Sequence, residues 1–320
     1  MARASSSWRK IFALFKTTAS DWSDDKASRL AAGLAYYTAL SIAPLLVVVI
    51  AVAGLVFGAD AARGAIMDQL GGLMGTDSAA TIESMVESAN KPRTGILATI
   101  FGVVVLLFGA TGVFIELQDS MNTIWEVRPK PGRGVLRVIR QRFLSLSMVF
   151  GVAFLLLVSL VVNAGLSALG DALAAFVPGI PIAWQVLTYA VSLLVITLLF
   201  AMIFKVLPDV KVPFRDVWIG AAFTAVLFVI GKLLLGLYIG RADLASSYGA
   251  AGSVVVMLLW IYYSAQIFFF GAEFTQAYAR LHGSRLEPTK NAMPATTEAR
   301  AQQGLAPGHR AREPATAAGR

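Results

Sequence analysis

Residues 30–58 read LAAGLAYYTALSIAPLLVVVIAVAGLVFG. The stretch holds no charged side chain and exceeds the roughly 20 residues that a helix needs to cross a bilayer. It is too long for the apolar part of a signal peptide, and Asp21, Asp24 and Asp25 lie ahead of it, so no cleavable leader is expected. Pro44 lies inside it, where a missing donor and a clash with the preceding turn predict a kink. Working outward, five further stretches have the same character: 94–117, 143–169, 184–207, 217–239 and 250–274. The composition agrees. The chain is 57% hydrophobic and 14% charged, with a mean hydropathy of +0.69. Soluble domains run near 45–50% apolar and about 25% charged. With 320 residues there is too little polar surface to cover such a core in water. The expected fold is therefore an all-α polytopic membrane protein of six transmembrane helices. The absence of cysteine removes disulfides, thiolate catalysis and cysteine metal sites.

The basic residues predict how the chain is threaded. Of its Lys and Arg, all but five lie in the leader, the second and fourth connections and the tail. The opposite side has only Arg63, Lys91, Arg93 and Arg241, and Lys232 falls within a span. By the positive-inside rule both termini are expected to be cytoplasmic, which an even number of spans also requires. The net charge of +8 then reflects topology and contact with anionic lipid, with no nucleic-acid partner expected.

Three regions follow. Residues 1–29 form a leader in which Trp8, Ile11, Phe12, Leu14 and Phe15, interleaved with Arg9, Lys10 and Lys16, predict an amphipathic helix lying in the membrane interface. Residues 30–283 form the six-span domain. Between its first two spans, Ala59 to Arg93 predicts two short helices separated near Gly71–Gly75. Residues 284–320 are rich in Ala, Pro, Thr, Gly and Arg without apolar periodicity, and are expected to be a disordered cytoplasmic tail.

Polar groups within spans are costly and so become candidates for function. Lys232 lies in the outer third of the fifth span, where it either snorkels to the interface or faces a cavity. Asn163 in the third span lies at similar depth and could bond to it. Toward the inner side are Tyr36 and Tyr37 in the first span, Glu116 in the second and Glu273 in the sixth. Two carboxylates with tyrosines can bind a cation, relay protons or hold helices together. Gln266 lies in the sixth span among Trp260, Tyr262 and Tyr263, at positions suited to the bundle interior. The only histidines, His282 and His309, lie near or in the tail, so no histidine metal site is expected within the bundle. Neither a P-loop nor a nucleophile-elbow motif is present.

Four ordered motifs carry a resemblance. They are AAGLAYYTALSIAPLL at Ala31–Leu46, NTIWEV at Asn122–Val127, LPDVKVPFRDVWIGA at Leu207–Ala221, and YGAAG, LLWIYYSAQ and GAEF within Tyr248–Phe274. Together they resemble the YihY/BrkB family of inner-membrane proteins, once labelled ribonuclease BN, over roughly residues 8–282. The resemblance implies a six-span protein of a bacterial inner membrane and no settled activity. The nuclease label does not suit these residues, because a metal-dependent ribonuclease needs a His/Asp cluster that this chain lacks. The expected function is transport of an amphipathic or anionic envelope component, with no cofactor and with membrane lipids as partners. The alternative is a non-transporting scaffold for envelope biogenesis.

Overall fold

A computed structural model describes residues 2–89, 96–131, 180–242 and 251–309, and parts of 143–170. Asn163 lies outside the described residues, as do 310–320. The chain is an all-α membrane protein. Four described helices are long and apolar enough to cross a membrane, over Ala27–Leu55, Trp184–Val206, Phe214–Tyr238 and Gly252–Leu281. Their outward faces carry large apolar side chains, among them Leu55, Ile182, Leu233 and Leu234, each more than 60% exposed. Such faces are stable only against lipid.

The leader forms α1, Ala2–Asp24. Lys26 at φ 52° turns the chain into α2, Ala27–Phe57. Helix α1 lies against the end of the bundle through Leu14 and Phe15. Phe15 meets Phe223 and Phe274 at centroid distances of 5.8 and 5.9 Å, while Ile11 and Phe12 stay exposed. Pro44 lies inside α2. Its ring is received by α5, Ile96–Ile124, where a Cβ on Gly109 would fall 2.9 Å from Pro44 Cγ. Glycine there lets the ring approach the neighbouring backbone closely.

Between α2 and α5, α3 (Ala59–Met74) and α4 (Thr76–Ala89) form the two short helices read from the sequence, divided at Gly75 with φ 89°. Ile82, Val86 and Met74 bury against Met257 and Ile261 of the last spanning helix, and Arg63 ties α3 to Glu83 and Glu87 of α4.

The described residues of 143–170 that carry an assignment are helical. Then come α6 (Ile180–Val206), α7 (Phe214–Ala242) and α8 (Gly252–Leu281). Helices α7 and α8 interlock through a reciprocal pair. A Cβ on Gly220 would lie 1.9 Å from Thr275 Oγ1, and one on Gly271 would lie 2.0 Å from Thr224 Oγ1. Each threonine hydroxyl donates to its own helix at i−4, to Gly271 O and Gly220 O respectively. Each therefore occupies the hollow of the opposite glycine with its polar atom satisfied.

The largest departure from the sequence reading concerns the tail. Residues 284–309 are ordered and fold back as a strap across the end of the bundle that holds both terminal regions. Strand β3 (Glu287–Pro288) pairs antiparallel with β2 (Val210–Lys211), and β4 (Ala292–Pro294) pairs with β1 (Val127–Pro129). A short helix α9, Thr297–Gln302, follows with Thr296 as its N-cap. Main-chain pairing and one buried arginine are among the contacts that hold the strap. Neither leaves an apolar period in the sequence.

Candidate functional site

Helix α8 carries polar groups along one face. Gln266, Glu273 and Arg280 are seven residues apart, so they stack two turns apart on one stripe. Glu273 is completely buried, and neither of its carboxylate oxygens has a hydrogen-bond partner; Gln266 Oε1 is likewise buried and unpartnered. Buried polar atoms are nearly always paired, and an ionisable one inside a span usually marks a working position.

Below Glu273, at the end where the termini meet, the stripe runs into a charged cluster. Arg280 donates to Asp21, and the ring nitrogen Nε2 of His309 lies 2.8 Å from the other oxygen of the same carboxylate. Arg300, from the strap, is 4% exposed and donates to three groups. These are Asp25 Oδ1, Ala306 O at 2.8 Å and Thr123 O at 3.4 Å. Glu126, with φ 52°, accepts from the amide of His309 at 2.8 Å. Burial lifts Asp25 from its ordinary 3.8 to about 6, against the pull of the Arg300 guanidinium and with help from the charges of Glu126 and Asp21. The members come from α1, the turn before α2, the end of α5, α8 and the strap, which explains why they are scattered along the sequence.

The motifs at 122–127 and 207–221 meet at the same end. Asn122 is buried and holds Asp209 by two bonds. Its Nδ2 donates to Asp209 Oδ2 at 3.2 Å, and its Oδ1 accepts from Asp209 N at 2.8 Å. Gln276 Nε2 donates to Ile124 O at 2.6 Å. Ser284 donates to Asp216 at 2.5 Å, and Asp209 O accepts from Thr289 N, so the strap is stitched to both motifs.

The predicted candidates separate. Glu116 is half-buried on α5 against Gly33 of α2, where a Cβ would stand 2.9 Å from its Oε1. It lines a cavity of about 300 Å³ with Arg29, Asp119, Ser120 and Thr123, and with Gln303 from the strap. Tyr36 and Tyr37 are exposed on α2, edge-on to each other at 5.7 Å, and do not join Glu273. Lys232 stands apart as well. It is exposed on α7 beside the exposed Leu233 and Leu234, an orientation in which its long stem can carry the ammonium to the interface. Among the described residues, no group of three or more His, Cys, Asp or Glu is arranged to hold a metal ion. The residues that sequence reasoning missed are Asp21, Asp25, Glu126, Arg280, Arg300 and His309. The acidic run ahead of α2 was visible, but nothing in a polar tail singles out Arg300 as its partner.

Comparison with known proteins gives the chain a family. The model of the virulence factor BrkB family matches residues 18–296. The chain belongs to that family. Its relatives include a UPF0761 membrane protein of Pseudomonas aeruginosa (strain LESB58), 30% identical over 250 residues, which are 78% of this chain and 58% of the relative. Another is the putative ribonuclease-like protein YfkH of Bacillus subtilis, 26% identical over 265 residues, 81% of this chain and 92% of that one. A UPF0761 membrane protein of Azotobacter vinelandii is 28% identical over 273 residues, 83% and 61% respectively. The chain thus spans about three-fifths of the length of the UPF0761 relatives. No solved structure matches it.

Proposed function

We propose that this BrkB-family protein crosses a bacterial inner membrane six times with both termini cytoplasmic, and that it moves an amphipathic or anionic envelope component. The topology rests on the Lys/Arg asymmetry and on the meeting of both terminal regions at one end of the bundle. The transport reading rests on one observation: the buried, unpartnered oxygens of Gln266 and Glu273 lie on one stripe of a spanning helix and lead into a charged cluster. A purely structural bundle gains nothing by leaving a carboxylate unsatisfied there. A polar path that a cargo or proton completes in passing does need one.

Reconstitution tests it. Proteoliposomes should move an anionic or amphipathic lipid faster than empty vesicles, and Glu273→Gln should lower the flux while leaving the protein folded. No flux above empty vesicles, together with a stoichiometric protein partner on pull-down, would favour a scaffold. A reporter active only outside the cytoplasm, fused after Arg285, should be silent.

A further inference from the structure

The cavity between α2 and α5 has a lining that specifies a ligand. Glu116, Asp119, Ser120 and Thr123 fall at i, i+3, i+4 and i+7, so they share one face of α5 and all line the same space. Ser120 is 2% exposed and its Oγ has no hydrogen-bond partner, although it borders the cavity. Buried hydroxyls are rarely left so. Across the cavity, Arg29 of α2 donates from Nη2 to Gln303 O at 3.1 Å and retains other N–H groups. The cavity lining thus combines carboxylates from α5 with a guanidinium from α2. A volume of about 300 Å³ admits a small organic headgroup and not merely an ion.

The seam above the cavity is apolar. On α2, Tyr37 and Leu40 continue the stripe of Gly33, and both are exposed; on α5, Phe108 is exposed two turns from Glu116. A molecule seated with its polar part in the cavity would lay an apolar part along Leu40 and Phe108.

We propose that this cavity binds the zwitterionic headgroup of an aminophospholipid. The primary ammonium donates to Glu116 and the hydroxyl of Ser120, the phosphodiester accepts from Arg29, and the acyl chains follow the α2–α5 seam. Charge complementarity selects this occupant. A simple anion would face two carboxylates, and a simple cation would face the guanidinium, whereas a headgroup that carries both a phosphate and an ammonium complements both charges. The proposal deepens the transport reading, since it names the amphipathic component, and it rests on that reading only for what happens after binding.

The test uses the full chain in nanodiscs of equimolar phosphatidylethanolamine, phosphatidylglycerol and phosphatidylcholine, with retained lipid measured by mass spectrometry after detergent washing. Phosphatidylethanolamine should be retained over each of the others by about tenfold, the factor expected from one charge-assisted hydrogen bond. Phosphatidylcholine controls for charge, because its quaternary ammonium has no N–H to donate. Glu116→Gln should abolish the preference while Lys232→Met leaves it intact. Equal retention of the three lipids by the wild-type protein overturns the proposal without any variant, so a misfolded Glu116→Gln does not shelter it. Displacement of the lipid by an equal concentration of free phosphoethanolamine would assign the cavity to a soluble metabolite and overturn the lipid source. Retention without flux would sink the transport reading and leave this site standing. Flux without selective retention would do the reverse.

Discussion

Arg300→Met tests how the strap is held. The arginine is 4% exposed, and its partner Asp25 is 5% exposed. Methionine keeps much of the stem volume but removes all three donated bonds, and it leaves the buried Asp25 without the guanidinium that pulls its carboxyl downward. Removing one partner of a buried ion pair costs about 3–5 kcal/mol, well beyond the roughly 1 kcal/mol of a surface pair. The strap's opening equilibrium should therefore rise by about two to three and a half powers of ten. Hydrogen exchange reads this directly. The amide of Ala295 donates to Glu126 O at 2.9 Å and that of Ala306 to Asp24 O at 3.4 Å, so both are protected only while the strap is closed. Their exchange should accelerate by about that factor, while amides in the middle of α8 keep their protection. Asp25→Asn combined with Arg300→Met should recover much of the loss, because no unpaired charge is then left inside. If Ala295 exchanges in the single variant at a rate close to wild type, or if the double variant is no better protected than the single, the ion pair does not hold the strap.

Asp25 should also impose a pH dependence. Its folded value of about 6 lies above its ordinary 3.8, so the folded state holds that proton more tightly than the unfolded chain does. The resulting stabilisation is present below about pH 4 and is lost as pH rises through about 6, amounting to about 3 kcal/mol at most. Thermal unfolding between pH 4 and 7 measures it, and Asp25→Asn should flatten that part of the profile. Gly220→Val should destabilise the protein by about 3 kcal/mol or more, because Thr275 Oγ1 already occupies the space of the new side chain; detergent-solubilised protein should melt early, and an unchanged melt would mean that α7 and α8 can separate freely. Asn122→Ala should cost about 2–3 kcal/mol through two lost bonds to Asp209, read as a lower melting temperature and faster exchange at Thr289, whose amide bonds to Asp209 O.

The membrane class of the protein and the positions of four spans could be read from the sequence, because lipid demands long apolar runs and a bilayer sets their length. The break between α3 and α4 was legible for a local reason, since glycines interrupt two periodic stretches. Glu116, Glu273 and Gln266 were identifiable as costly polar residues inside apolar runs. Which of them share a site was not. Glu116 faces a cavity beside α2, Glu273 stands over the charged cluster, and Lys232 points outward.

The tail separates the two kinds of information. Its composition carries no periodic apolar pattern, which in an isolated chain would mean disorder. In the folded protein, β1 and β2 offer it unpaired main-chain edges, Asp25 offers a buried charge, and Glu126 offers an acceptor. All of these lie more than 70 residues away from it in sequence. Hydropathy and charge are properties of single positions summed along a window, and they determined that the chain enters a membrane and suggested which way it is threaded. Pairing depends on what stands opposite in space, so only the tertiary structure decided that Arg300 meets Asp25, that Gly220 receives Thr275, and that the strap meets α1.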